Sequence, residues 1–364
     1  GGRCNLTHAC FDPRELATFY PRGQKELLGP FHHFGPGDTL DWFEKQGVET
    51  KVEADGRMFP VSDNSQSIMD ALMHTATARG IQVMTQTGME TINPPATAEE
   101  PWIIGVRNGK QLQAQHVMVA TGSNSRVWKM LAELDHRIIP PVPSLFTFNI
   151  KSPLLSGLMG RSVPNADIQI VDTKWQAHGP LLITHWGLSG PGILKLSAWA
   201  ARDLHARQYA FEIDINWLGP NWSTGRWDEH VHSLRQSHAK KTLTGTRPEA
   251  LPQLLWERIL QEAGIPVGRR WSDLRKQEAE SLSHILITYR LPVRGKSTFK
   301  EEFVTAGGVD LTEIDMRRFA SRKWPRLYLA GEVLNIDAVT GGFNFQAAWT
   351  GGWLAGSDMG KGVQ

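Results

Sequence analysis

Apolar and polar positions alternate along this chain with two periods, and the period changes from block to block. Asp38-Thr39 reads as a helix start, with Leu40 and Phe43 on one face and Gly47 as the stop. Ser65 caps a longer helix. Its Ile68, Ala71, Leu72, Thr75 and Ala76 recur at helical spacing, Gly80 ends it, and Ile81-Gln82-Val83 begins a strand. The stretch 102–122, "WIIGVRNGKQLQAQHVMVATG", predicts a strand, an Asn108-Gly109 turn, and a second strand finishing in the apolar run Val117–Ala120. A run that apolar is buried on both faces, as in a parallel sheet.

The texture changes near residue 141. "PPVPSLFTFNI" reads as a linker into β-structure, and "DIQIVD", "PLLITHWG" and "YAFEIDINW" are short strands. A helix carrying Trp199 opens after "GLSGPG". Residues 227–282 are polar, basic and helical, interrupted by Pro248 and Pro252. "SHILITYRLPV" (283–293) returns to strand. The block 325–356 then predicts a buried strand (Leu327–Ala330), a glycine-punctuated loop and a helix from Phe343. We therefore expect an α/β fold in 1–143 and 305–364, split by an insertion. The insertion comprises a β-rich part (144–226 and 283–304) and a helical part (227–282). No internal repeat is visible.

Composition narrows the function classes. The 364 residues are 40% hydrophobic and 21% charged, a globular balance over more than one core. Lys and Arg (39) nearly cancel Asp and Glu (37), so neither nucleic acid nor an anionic membrane is expected as the main partner, and the basic helical stretch with Arg269, Arg270, Arg275 and Lys276 reads as a solvated face. No apolar run reaches the roughly 20 residues of a membrane span. Cys4 and Cys10 form neither a disulfide framework nor a zinc site, and they fit a reducing cytoplasm. His32-His33 and the pair in "HVH" (230–232) lack neighbouring ligands, so no metal site is expected.

Three glycine clusters carry the chemistry. Gly1-Gly2-Arg3 allows a backbone to approach a phosphate, with an arginine beside it, although taken alone an ordinary surface turn explains it much better. Thr121-Gly122 ends a buried strand, the place where ligands bind in open α/β sheets. Gly331-Glu332 ends another, adding a carboxylate able to accept hydrogen bonds from sugar or ribityl hydroxyls. Gly341-Gly342 precedes the helix that opens with Phe343 and Asn344, where free N–H groups suit an anion or an oxygen gaining negative charge. In this order the clusters are three parts of one FAD site of the kind that flavoproteins with two dinucleotide-binding motifs carry.

The stretches "GGRCNLTHA", "DGRMFPVSDNSQSI", "VMVATGSNSR", "LLITHWGLSGPGILKLSA", "TAGGVDLTEID" and "LYLAGEVLNIDAVTGGFNFQAAWTGG" resemble the YhiN/BaiN-like flavoprotein family over nearly the whole chain. The resemblance implies a Rossmann-like FAD-binding domain with an inserted β-barrel-like and helical domain. It places Gly1, Gly2, Arg3, Cys4 and Asn5 on a loop beside the FAD, and Thr121 and Gly122 on the turn after the second motif. Gly331 and Glu332 fall on the strand end that meets the ribityl chain, and Gly341, Gly342, Phe343 and Asn344 on the loop and helix start facing the isoalloxazine. The implied activity is an FAD-dependent oxidoreductase moving hydride to or from a small organic substrate, with NAD(P)H as a candidate reductant. The alternative is a non-catalytic flavoprotein remnant, or a binding module that uses the basic helices.

The family opens with a strand, a G-x-G-x-x-G turn and a helix for the pyrophosphate. No G-x-G-x-x-G occurs in these residues, so the FAD domain is expected to be N-terminally incomplete, with a βαβ-sized segment preceding Gly1. The loop after "ATG" is also short, which points to a different surface over the flavin. Cys4 beside a flavin invites a redox role with Cys10, but a small loop residue accounts for it more simply. Arg57 in "DGRMFP" reads as a turn arginine.

Overall fold

Two elements of the C-terminal block, a short buried strand and a long glycine-rich helix, organise the first of two compact units. The computed structural model describes residues 2–97, 99–107, 109–297 and 304–361. The first unit comprises residues 1–141 and 305–364, and the second 142–304.

In the first unit the strand Leu327–Leu329 pairs in parallel with Val117–Val119, Leu327 opposite Val117 and Leu329 opposite Val119. Ala320–Ser321 and Ile314–Asp315 extend this sheet antiparallel from its other edge. Two three-stranded antiparallel sheets accompany it. One sets Thr7–His8 and Thr50–Val52 on either side of Arg57–Pro60. The other sets Met89–Asn93 and Gln111–Ala114 on either side of Trp102–Val106.

The helix Phe343–Gly360 lies against the N-terminal segment, and a buried polar cluster joins them. Gln346 Oε1 accepts from the hydroxyls of Thr7 at 2.6 Å and Thr39 at 3.0 Å, while its Nε2 donates to Thr350 Oγ1 at 3.2 Å. Thr350 in turn reaches the carbonyl of Phe34. All four side chains are buried. Tryptophans make further ties: Trp349 Nε1 donates to the Leu6 carbonyl, Trp102 to Pro325, Trp128 to Val333 and Trp324 to Leu134. Each bond joins one sequence half of the unit to the other. In each, the indole gives a buried apolar body and one N–H for a backbone carbonyl.

The second unit holds a seven-stranded antiparallel sheet. Its order is Tyr289–Arg294, Ala210–Asn216, Ser162–Ile170, Gln176–Ile183, Gly187–Ser189, Thr147–Asn149 and Lys296–Ser297. The first and last members of that order are consecutive in sequence, separated by Gly295. The helices Pro191–Trp199, Thr224–Ser237, Gln253–Glu262 and Lys276–Ile287 share a core with the sheet that includes the fully buried Trp217, Trp227, Trp256 and Trp271. No helix among the described residues is long and apolar enough to cross a membrane.

Several local expectations change. Asn64 rather than Ser65 caps the helix Ser65–Ala78, its Oδ1 accepting from Gln66 N at 2.9 Å, and the helix expected to start at Asp38-Thr39 already begins at Pro36. Ile81, Val83 and Met84 form no strand and are exposed, because no neighbouring strand offers a ladder; pairing starts at Met89. Leu72 lies at the exposed edge of its helix rather than in the core. The run through Val117 is not the second arm of the hairpin. That arm ends at Ala114, and Val117–Val119 leaves it for a partner 210 residues away. The segment 283–287 is the buried end of the helix Lys276–Ile287, and the strand begins only at Tyr289. Asn108 of the expected turn lies outside the described residues, while Gly109 takes the left-handed φ of +76°.

Replacing Gln346 with Leu leaves two threonine hydroxyls without their shared acceptor in a dry site. Q346L is expected to lower unfolding stability by about 2–4 kcal/mol, measured by urea denaturation. A loss below about 0.5 kcal/mol would show that the cluster is not what holds the two segments together.

Candidate functional site

The parallel pair sets two of the three glycine clusters side by side. Thr121 and Gly122 follow Val117–Val119, and Gly331 and Glu332 follow Leu327–Leu329, both at carboxyl ends of neighbouring strands. Ala330 N donates to the Val119 carbonyl at 3.2 Å just before the two chains diverge. Gly122 and Gly331 both hold left-handed φ values, +61° and +74°, which turn the backbone away from the sheet. Thr121 is exposed. Gly331–Val333 forms a single turn packed on the C-terminal helix, its Gly331 facing Ala348, and the indole of Trp128 holds the Val333 carbonyl at 2.9 Å.

The first and third clusters meet elsewhere in the same unit. Gly342 caps the helix Phe343–Gly360 at φ +92°. A Cβ there would stand 2.6 Å from the Thr7 carbonyl oxygen and 2.9 Å from Asn5 Oδ1, so only glycine admits this approach. No side chain caps the helix, and the first-turn N–H groups of Phe343, Asn344 and Phe345 have no intrahelical acceptor. Asn5 Oδ1 is buried with no hydrogen-bond partner. Gly2 anchors the segment by accepting from Ser65 N, and Leu6 and Ala9 pair with Met58 and Gly56. Gly1 lies outside the described residues.

Several expected residues are engaged by the protein itself. Arg3 lies over the Phe59 ring at 3.9 Å and is held by Glu53 and by Asp63 at 2.8 Å, so two carboxylates already balance its charge. Phe343 is buried against the rings of both His8 (4.5 Å) and Phe19 (4.3 Å), and Tyr20 Oη donates to its carbonyl. The Asn344 side chain accepts from Ala338 N at 2.9 Å and donates to Ala338 O at 3.2 Å, pinning the loop that precedes the helix. Cys4 is half-buried and packs beside Leu6, Phe43 and Ile68. Burial pushes its thiol up, away from the thiolate. Cys10 is raised to about 11 by burial and then by Glu15 and Asp12.

Glu332 stands apart. Burial raises its pKa first, and the nearby charge of Asp337 raises it further. No hydrogen bond or ion pair reaches its carboxylate from another described residue. Asp337 itself is fully buried and forks onto Arg22. Together the helix start, the Asn5 carbonyl and the Glu332 carboxylate offer unfilled donors and acceptors that suit a nucleotide: N–H groups for an anion or carbonyl, a carboxylate for hydroxyls.

Sequence reasoning did not single out Thr7, His8, Asp337 or Gln346. His8 Nδ1 lies 3.0 Å from the Gly341 carbonyl and therefore carries the proton. The acids of "EADGRMFPVSD" flank Arg57 at positions that also neutralise Arg3, a signal present in the residues but without a stated partner.

Two measurements test this geometry. G342A is expected to destabilise by about 1–3 kcal/mol, whereas G352A, with ordinary helical φ and its nearest neighbour Met118 Cε at 3.9 Å, is expected to be neutral or stabilising by about 0.5–1 kcal/mol. Equal denaturation midpoints for the two variants would sink the close-approach account. Glu332 has a folded pKa above its unfolded value, so the folded state binds more protons between the two values and stability falls as pH rises through that window. E332Q is therefore expected to unfold at a higher temperature than the parent at pH 8, with no difference at pH 4. A lower melting temperature for E332Q at pH 8 would mean the carboxylate has a partner.

Comparison with known proteins agrees with this architecture. The profile described as HI0933-like protein Rossmann domain matches residues 1–358. A ribosomal RNA dihydrouridine synthase of Escherichia coli K12 is 27% identical, aligned over 99% of this chain and 87% of its own length. A ribosomal RNA dihydrouridine synthase of Haemophilus influenzae is 25% identical over 96% of this chain and 85% of its own. A 3-dehydro-bile acid delta(4,6)-reductase of Clostridium scindens is 25% identical over 98% of this chain and 87% of its own. With its two parallel strand ends, its glycine-capped helix and a family match over nearly its full length, this chain belongs to the HI0933-like Rossmann-domain family, the YhiN/BaiN-like flavoproteins.

Proposed function

We propose that the protein is an FAD-dependent reductase that adds hydride to a carbon–carbon double bond conjugated with a carbonyl. The observation that carries this reading is the unfilled set in the first unit: the helix start after Gly342 with no side-chain cap, the unpartnered Asn5 Oδ1 and the unpartnered, half-buried Glu332 carboxylate. The names of the relatives supply the reaction class. Dihydrouridine arises by saturating the uracil C5–C6 bond, conjugated with a ring carbonyl, and a delta(4,6)-reductase of a 3-oxo steroid saturates bonds conjugated with its ketone. One chemistry covers both.

FAD, when bound, supplies the hydride. The residues that would hold it are Gly1, Gly2, Arg3, Cys4 and Asn5 from the first segment, Thr121 and Gly122 from the first strand end, and Gly331, Glu332, Gly341, Gly342, Phe343 and Asn344 from the C-terminal block. Glu332 accepts hydroxyl hydrogen bonds. The backbone N–H groups of Phe343, Asn344 and Phe345 stabilise an oxygen that gains negative charge. Arg3, already balanced by Glu53 and Asp63, shapes the loop rather than supplying net charge. NAD(P)H is the proposed reductant. We also read the second unit as the family's β-barrel-like insertion, its sheet closing through 289–297 at Gly295, with the helices of 227–282 appended.

Protein purified with excess FAD is expected to retain it and show the visible flavin bands. Its reduced form is expected to be reoxidised anaerobically by a 3-oxo-4,6-diene steroid or by uridine-containing RNA, but not by the saturated steroid. E332Q is expected to weaken FAD binding about tenfold to a hundredfold in a fluorescence titration. Colourless protein under FAD saturation, or flavin reoxidised equally fast by the saturated steroid, would overturn the proposal and favour a non-catalytic binding protein.

A further inference from the structure

The second unit holds a cleft of its own. Its volume of about 500 Å³ falls within the range of small-molecule sites. Residues 150–159 form one wall, and the turn between the strands Gln176–Ile183 and Gly187–Ser189 forms the other.

Backbone bonds fix both walls. Thr184 N donates to the Gly187 carbonyl at 2.8 Å and closes the turn, and Ile150 N donates to the Trp186 carbonyl at 2.9 Å and ties the turn to the first wall. Gly187 holds φ +143°, and a Cβ there would stand 2.3 Å from Phe148 O and 2.5 Å from Ile150 N, so only glycine admits this approach. The first wall runs in successive turns, Leu155 N reaching Ser152 O and Leu158 N reaching Leu155 O, both at 3.2 Å, and the buried Leu154, Leu155 and Leu158 anchor it inward. Gly160 N donates to Ile183 O and Ile183 N to Arg161 O, each at 2.9 Å. A cleft held in this way needs little reordering to take a ligand.

Its lining is of two kinds. Lys151, His185 and Ser156 are exposed, and their side chains make no hydrogen bond or ion pair with another described residue. The other two lining hydroxyls are engaged, Ser152 with Tyr289 and Thr184 with the Gly187 carbonyl. No Asp or Glu lines the cleft, so the lysine charge is not balanced there. Ile150, Leu155 and Met159 supply apolar surface. Met159 keeps 50% of its surface exposed and Trp186, on the turn, 56%. A thioether in that position adapts to varied apolar shapes. An unbalanced cation, free hydrogen-bonding groups and apolar surface in one preformed cleft are complementary to an anion on an apolar body. A single lysine matches a monoanion. A phosphate dianion would find neither an arginine fork nor a helix N-terminus among the lining residues.

We propose that this cleft binds a small carboxylate with an apolar body, its headgroup on Lys151, His185 and Ser156 and its hydrocarbon against Ile150, Leu155 and Met159. Every lining residue belongs to the second unit, so the inference does not depend on the reductase reading.

The test is isothermal titration of the full chain, purified with FAD, with 4-phenylbutyrate as probe at about 50 mM salt. The parent is expected to bind with a Kd on the order of 0.1–1 mM. K151Q and H185Q are each expected to weaken binding about fivefold to tenfold, with melting temperatures unchanged because both side chains are exposed and unpaired. S156W, which fills the cleft, is expected to abolish binding. Should S156W impair folding, the two exposed variants still decide the matter. 4-Phenyl-1-butanol, which keeps the body without the charge, and inorganic phosphate, which keeps a charge without the body, are each expected to bind at least about tenfold more weakly than the acid. No saturable binding of 4-phenylbutyrate below about 10 mM, equal binding by parent, K151Q and H185Q, or equal binding of the alcohol or of phosphate would overturn the site. The expected pattern in a protein that takes up no flavin would leave the site standing and overturn the reductase reading alone.

Discussion

One buried amide holds the first unit together. Gln346 brings Thr7 from the N-terminal segment, Thr39 from a helix and Thr350 from its own helix to a common point, all four of them buried. Because a buried polar group must be paired, the cluster tolerates only one register between helix and segment. That register brings Gly342 under the Thr7 carbonyl and leaves Asn5 Oδ1 facing the helix start. The ligand-facing features of the unit follow from this contact rather than from the glycines alone.

The same contact explains why the arginine of the first cluster does not act as a free phosphate fork. Once Thr7–His8 pairs with Arg57–Pro60, the acids of the adjoining turns come within reach of Arg3. What remains uncommitted among the described residues around these loops is backbone N–H, the amide oxygens of Asn5 and Asn335, and one carboxylate. Such groups are shaped for hydrogen bonding to a neutral or weakly charged edge, which suits the sugar and ring portions of a dinucleotide. A carboxylate kept partly buried near Asp337, with no cation paired to it among the described residues, has the setting expected of a group positioned for binding rather than for folding.

The glycine clusters were legible because their conformations are local: Gly122, Gly331, Gly341 and Gly342 all hold positive φ, and the chain around each had to be a turn. The strand–loop–helix of 325–360 was legible for the same reason. Errors fell where a distant partner decides. Val117–Val119 looks continuous with the hairpin until Leu327 claims it, and residues 283–287 look like a strand until the core of the second unit takes them as a helix face. The Gln346 cluster left no readable mark, since a lone glutamine and three threonines carry no period.

The distance along the chain between Thr7 and Gln346, 339 residues, also sets an order of events. A ribosome adds about 5–20 residues per second, so the segment carrying Thr7 emerges roughly twenty seconds to a minute before the helix that completes its hydrogen bonds. The second unit is made wholly within that interval and has its own core to close. Leu6 can close its cluster with Phe43, Val48, Ile68 and Ala71 as soon as they are made, but the Thr7 hydroxyl has no Gln346 acceptor until the final helix arrives.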